Sequence, residues 1–165
     1  MKILYVIIMM LFLGMVSCSE DNLKGYSSSN CIQFDKLSKD STVFSFAYDE
    51  TLESGTVALK LVMISPLVDR DRKYNVKFLQ DESSAQAGVD FEMPAEEQVI
   101  AANDSVAYLN VIVKRNKALK GSAIAVFEVQ VSDDFMPGIE ANRKGRIFIT
   151  NQLTRPGWWN DWHEA

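Results

Sequence analysis

Gly55-Thr56-Val57-Ala58-Leu59-Lys60-Leu61-Val62-Met63-Ile64 is the run whose period decides the class of fold. Val57, Leu59, Leu61 and Met63 alternate with Ala58, Lys60, Val62 and Ile64. Successive side chains of a β-strand point to opposite faces, so the first set is expected to cover a core. The second half of the run is apolar on both faces, which predicts a central strand with neighbours on either side. Pro66 ends it, because proline has no N–H to give to a ladder.

The same period recurs on both sides of this run. Downstream, Arg72 to Leu79 alternates Tyr74, Val76 and Phe78 with Lys73, Asn75 and Lys77. A loop of small residues runs from Glu82 to Asp90, and Gln98 to Ala101 is expected as a brief edge strand. Ser105 to Lys114 turns Ala107, Leu109, Val111 and Val113 to one side, and Asn116 to Gly121 makes a turn. Ala123 to Ser132 sends Ala125, Phe127, Val129 and Val131 inward, and Gly145 to Thr150 supplies a last strand with Ile147 and Ile149. Upstream, Cys31 to Phe34 is a short first strand, and Thr42 to Tyr48 places Phe44, Phe46 and Tyr48 on one face. Seven or eight short strands and no amphipathic helix predict an all-β domain, with two antiparallel sheets packed face to face. An up-and-down barrel is the alternative, but the strands are short and uneven for it. A domain of this size buries about 68–70% of its unfolded surface, so one core suffices.

Before the first strand the chain changes character. Met1-Lys2 is followed by an uncharged apolar run from Ile3 to Val16. One positive charge, a short apolar core and small residues ahead of Cys18 have the layout of a secretory leader. The run falls short of the about 20 apolar residues that cross a bilayer as a helix. Ser19 to Asn30 is polar, with Gly25 and Ser27-Ser28-Ser29, and is expected to be a flexible tether of up to roughly 40 Å when extended. The domain plan is therefore 1–17 leader, 18–30 tether, 31–152 sandwich and 153–165 tryptophan-rich tail.

Val16-Ser17-Cys18 resembles the lipobox of bacterial lipoproteins, in which the cysteine becomes the lipidated N-terminus; Met15 stands where that family prefers leucine. Glu20 and Asp21 resemble the surface-export signal of Bacteroidota lipoproteins. These resemblances imply a protein anchored through acylated Cys18 on the outer membrane and facing outside, its acyl chains contributing about 0.8 kcal/mol per buried CH₂. A Cys18–Cys31 disulfide competes with lipidation, but Cys18 sits where the cleavage pattern needs it, which leaves Cys31 as a small buried side chain. Loss of Lys2 with the leader takes the formal net charge from −5 to −6, which speaks against a nucleic-acid partner.

Ser84-Ala85-Gln86-Ala87-Gly88-Val89-Asp90-Phe91 resembles the T-A-x-x-G-x-D-Y segment of Calx-β-type immunoglobulin-like domains. Cys31-Ile32-Gln33-Phe34, Asp71-Arg72-Lys73-Tyr74, Phe135-Met136-Pro137-Gly138 and Leu153-Thr154-Arg155-Pro156-Gly157-Trp158-Trp159 follow in matching order. Together with the lipobox they resemble a Bacteroidota lipoprotein family of unknown function with a Calx-β-like or immunoglobulin-like sandwich. Members of that family continue past the tryptophan pair, so the resemblance implies a truncated chain or a short relative. It also implies a non-catalytic accessory of a TonB-dependent outer-membrane transporter, capturing a glycan or peptide. A structural interaction subunit or adhesin, docking through sheet edges or the tail, is the alternative, and a hydrolase ranks last.

Chemistry-bearing residues are few. The single histidine, His163, is two residues from the end, and there is no HExxH, paired CxxC or glycine-rich phosphate loop, so triad, zinc and nucleotide chemistry find no residues. Calcium binding, which the Calx-β resemblance raises, would draw on the acidic loops: Asp90, Glu92, Asp133 and Asp134 first, with Asp69 and Asp71 behind them. A calcium ion takes six to eight oxygens, whereas these acids come in pairs, and Asp90 is better suited to cap the turn after Gly88. No other cofactor is expected. Trp158, Trp159 and Trp162 are the candidate ligand-binding residues, because exposed indoles make contact hot spots. Asp40-Ser41-Thr42 and Asp104-Ser105-Val106 resemble the O-glycosylation sequon of exported Bacteroidota proteins.

Overall fold

The computed structural model describes residues 30–35 and 41–153. Nine strands run in chain order: β1 Cys31–Phe34, β2 Thr42–Ser45, β3 Ser54–Ile64, β4 Arg72–Phe78, β5 Glu97–Ile100, β6 Val106–Lys114, β7 Ser122–Gln130, β8 Met136–Pro137 and β9 Lys144–Thr150. They form two sheets, ordered β6-β3-β1-β8 and β2-β9-β7-β4-β5. As its doubly apolar second half requires, β3 is interior, pairing with β6 over nine residues and with β1 over four. β5 lies at an edge. Among the described residues the only helical turns are three short 3-10 segments.

The core is the sum of the inward phases. Val57, Leu59, Leu61, Leu109, Val111 and Val113 from the first sheet meet Tyr74, Val76, Ala125, Phe127, Ile147 and Ile149 from the second. Phe91 enters from a loop and closes an aromatic triangle with Phe78 and Phe127, ring centroids 4.9–5.7 Å apart. A fully buried side chain of this size contributes about 1.5–3 kcal/mol by area alone. Between the sheets a Cβ on Gly55 would lie 2.2 Å from the Phe44 ring, so any larger residue there would force that ring to move.

Four expectations need correction. The strand from Thr42 stops at Ser45, whose hydroxyl accepts from Ala47 N and starts the 3-10 turn Phe46–Tyr48. Phe46 is buried as expected, but the turn swings Tyr48 out to 62% exposure. β7 ends at Gln130, so Val131 is exposed instead of inward. The two-residue β8 is an addition, and it makes nine strands instead of seven or eight. The sheets are also mixed: β1 with β8 and β2 with β9 are parallel pairs. A parallel partner distant in sequence leaves no mark on local alternation.

Candidate functional site

The ladder registers define two ends of the sandwich, and each is pinned by an arginine under an aromatic ring. At one end β3 finishes at Ile64, opposite Cys31, and β6 begins at Val106, opposite Val62. Arg72, the first residue of β4, is turned inward there and is only 1% exposed. Its Nη1 donates to Ser65 Oγ at 2.6 Å and Pro66 O at 3.3 Å, its Cζ lies 4.9 Å from the Phe135 ring centroid, and its Nε has no partner among the described residues. Among the described residues no carboxylate bonds to it; burial pulls the guanidinium below its ordinary pKa, opposed by the charge of Asp134.

At the other end β3 begins at Ser54, opposite Lys114. Arg115 follows and lies half-buried over Phe46, its Cζ 5.1 Å from the ring centroid. Its Nε donates to Leu52 O at 2.7 Å, and its Nη2 donates to Phe46 O at 2.7 Å and to Asp49 O. One side chain therefore ties three carbonyls of the 46–52 segment. Asp49 caps the turn within it, its carboxyl held below the usual range by bonds from the Thr51 hydroxyl and N–H.

Beside Arg115 the motif residue Asp90 is buried, at 3% exposure. Its Oδ2 accepts from Gln86 N at 2.7 Å and its Oδ1 from Asn116 Nδ2 at 2.8 Å. Gly88 sits between them at φ +83°, a backbone region that favours glycine. Asp90 is thus the turn cap that its spacing suggested. Asn116 O in turn accepts from Asn151 Nδ2 at 2.7 Å, which fixes the amide and leaves Asn151 Oδ1 buried without a partner among the described residues.

The structure divides the candidate calcium set between these ends. Asp90 and Glu92 belong to the Arg115 end, where Glu92 pairs with Lys114 at 3.0 Å. Asp134 belongs to the Arg72 end, pairing with Arg70 at 2.5 Å and accepting from Lys73 N at 2.8 Å, while neighbouring Asp133 is exposed. Asp71 Oδ1 accepts from Ala102 N, and Asp69 is exposed. Among the described residues no three acidic, histidine or cysteine side chains are grouped to hold a metal, so this oxygen set does not fit calcium. Cys18, the tryptophans Trp158, Trp159 and Trp162, and His163 lie outside the described residues. Ser105 is exposed at the start of β6, and Ser41 is half-buried.

The openings of the described surface include a smaller and a larger one. The smaller, about 210 Å³, lies over β4 among Asn75, Lys77, Glu96, Glu97 and Gln130. The larger, about 510 Å³, lies at the Arg115 end among Ala47, Glu50, Arg115, Lys117, Asn151 and Leu153. Arg72 and Arg115, which pin the two ends, escaped the sequence reading. A signal existed for Arg72, because it is in phase with Tyr74, Val76 and Phe78. Arg115 sits where alternation has already stopped.

The architecture resembles several solved structures. The apo form of the Calx CBD1 domain matches with a TM-score of 0.56 at 9% identity, over 76% of this chain and 99% of that one. The Calx CBD2 domain matches with a TM-score of 0.50 at 11% identity, over 72% and 85%. A "putative carbohydrate binding protein from Bacteroides ovatus" matches with a TM-score of 0.50 at 12% identity, over 74% of this chain and 37% of that one. Such identities speak for the fold alone, which is a Calx-β-like, immunoglobulin-like sandwich. No curated protein matches the sequence. Over residues 24–165 the chain belongs to the family described as a domain of unknown function, DUF4843.

Proposed function

We propose that this protein is a non-catalytic binding domain, held on the outer membrane through lipidated Cys18 and facing outward as an accessory of a nutrient-uptake system. The observation that carries the reading is the direction of the chain through the sandwich. It enters at Asn30, whose carbonyl accepts from Met136 N at the Arg72 end, and β9 runs out at Thr150 beside Gly121, at the Arg115 end. A domain tethered through residues 18–30 would carry the opening beside Arg115 on the side away from the lipid. The carbohydrate-binding description of the similar Bacteroides ovatus protein supports a glycan as cargo. The lack of a catalytic set in the sequence supports binding without turnover. TonB-dependent transport is the process such a surface domain would serve.

A second reading, a structural subunit docking on other envelope proteins, is favoured by one observation. The outer face of the first sheet carries an apolar row in register, Ile64–Cys31–Met136, with Ile64 45% and Met136 48% exposed. Fractionation of cells producing Cys18→Ala tests the anchor: the protein should lose its acyl mass and leave the membrane. Retention without lipid would overturn it. Glycan binding by the mature chain that disappears when Trp158, Trp159 and Trp162 are replaced by alanine favours the first reading. Silence toward glycans with co-purification of a transporter favours the second.

A further inference from the structure

We infer that the open part of the β6 edge is a docking site for an extended, uncharged segment of a partner protein, taken up as an added antiparallel strand. The inference rests on the reading of this domain as a subunit that docks on other envelope proteins, and it names the element that docks. Of the sheet edges described, β8 is two residues long and contains a proline, while β5 and β2 have four residues each. β6 has nine. Its register with β3 is unbroken from Val62↔Val106 to Ser54↔Lys114, so no bulge twists the edge away. Residues 105–113 include no charge and no proline, the usual guards of an exposed edge.

The backbone selects what this edge takes. In an antiparallel strand, alternate residues turn their N–H and C=O groups to opposite sides. Ser105 O accepts from Met63 N, so the odd-numbered residues face β3. Ile112 O accepts from Glu92 N and Lys114 N donates to Asp90 O, so the even-numbered ones face outward. The chain thus already lays a short antiparallel segment, 90–92, on the far end of the edge, and Pro94 follows it. Beside that segment the N–H and C=O groups of Val106, Tyr108 and Asn110 have no partner among the described residues. A row of this kind is satisfied by another extended backbone. Tyr108 and Ile112, 53% and 41% exposed, flank exposed Asn110 on the outer face. They form an apolar seat for the side chain of the added strand that lies opposite Asn110.

The surroundings select a partner protein over a second copy or a free peptide. A second copy could offer only its own β6, with the same far end taken, which limits the overlap to 106–110, a ladder about 17 Å long. That alone is too small for the roughly 800 Å² per side of a stable complex. A free peptide would order its whole backbone for the same short ladder, and no charged side chain of the stretch would hold its termini. A partner protein has more surface to use. Val106 lies opposite Val62, and Val62 opposite Gln33, one row in from Ile64–Cys31–Met136 on the same outer face. A partner seated on that apolar row presents its segment to the edge at high effective concentration.

Amide hydrogen exchange of the full mature chain carrying Cys18→Ala tests the edge. In the free protein the amides of Val106, Tyr108 and Asn110 should exchange fast, while those of Ala107, Leu109 and Val111 are protected by β3. Slow exchange at the first three would overturn the proposal, because the edge would already be covered. A capped seven-residue peptide alternating threonine with valine, at saturation, should slow Tyr108 and Asn110 by about tenfold or more. The same peptide with a central proline should not. Tyr108→Lys and Asn110→Pro should each abolish the effect, and Tyr108→Lys, a change at an exposed side chain, should keep the wild-type melting temperature. No slowing by the alternating peptide would overturn the edge as a site. Co-purification of an envelope protein should be lost with Tyr108→Lys. Co-purification that survives Tyr108→Lys but is lost with Ile64→Asp would overturn the edge and keep the docking reading. Slowing by the peptide with no envelope protein co-purifying would overturn the partner and the docking reading. A dimer of the free chain that Tyr108→Lys dissolves would overturn the choice of partner in favour of a second copy.

Discussion

The Arg72 end and the Arg115 end place the same pair of groups, a guanidinium over a phenylalanine ring, in opposite service. Arg72 is sealed inside, held by one hydroxyl and backbone carbonyls, with a buried Nε that has no partner among the described residues. Arg115 is half-buried, satisfies three carbonyls and forms a wall of the larger opening. A buried cation with incomplete partners costs free energy through desolvation. An exposed one costs little, and its ordering of a loop is useful to a site on that loop. The first end is therefore a closure of the core, and the second is a platform.

The largest expected difference comes from deleting the two arginines in turn. Arg72→Ala removes a fully buried side chain, leaves a cavity under Phe135 and orphans Pro66 O, so it should cost about 3–4 kcal/mol in chemical denaturation. Arg72→Met keeps the volume and discards the desolvated charge, and it should recover most of that loss. Arg115→Ala should cost only about 1–2 kcal/mol, because water can reach the carbonyls it abandons, while hydrogen exchange in the 46–52 segment should rise. Equal losses at the two positions would dissolve the contrast between closure and platform.

A smaller effect separates the turn cap at the Arg115 end from a metal ligand. Asp90→Asn would set an amide N–H₂ against Asn116 Nδ2, donor facing donor, and should cost about 2 kcal/mol. Adding Asn116→Asp restores a donor–acceptor pair with the roles exchanged, and it should return most of that stability. A calcium-binding role predicts the opposite outcome. The double variant would then keep its charge count but shift its melting temperature with added calcium differently from wild type.

The strands were legible because each half-buried face writes a period of two into the sequence. β3 could even be placed as interior, since Val62, Met63 and Ile64 leave no polar face in its second half. What was hidden is non-local. The parallel partners β8 and β9 are matched to β1 and β2 by geometry alone, and β8 is too short to alternate at all. The Phe46–Tyr48 turn was masked because Phe44, Phe46 and Tyr48 mimic a strand, whereas the Ser45 hydroxyl bends the backbone at Ala47. The candidate site was least legible of all. The charged walls of the opening beside Arg115 come from segments far apart in sequence, after β6 and before β3. Hydrophobic pattern records what is buried, so a binding surface built from exposed turns leaves almost no trace in it. Asp90 is the instructive exception, because a buried carboxylate must be satisfied locally, and Gly88 two residues earlier marks how.

The smallest effect is the pH dependence carried by Asp134 at the Arg72 end. Asp134 lies below its ordinary pKa of 3.8, chiefly through the hydrogen bond from the Arg70 guanidinium and then through the bond from Lys73 N. A carboxyl whose folded pKa is depressed binds its proton more readily in the unfolded chain. Its contribution is therefore fully present above the unfolded value near 3.8, and it is lost as pH falls through the lower folded value. Wild type should accordingly exceed Asp134→Asn in stability by a constant margin from neutral pH down to about pH 5. The margin should then shrink toward zero as the medium is acidified past the usual carboxylate range. Arg70 is largely in solvent, so the margin should also narrow in high salt. The salt dependence should not appear at the Arg115 end for Asp90→Asn followed by the same denaturation series, because the bonds of Asp90 run to neutral groups. A salt response at Asp90 as large as that at Asp134 would mean that a cation does reach the motif carboxylate, and the contrast between the two ends would have to be redrawn around it.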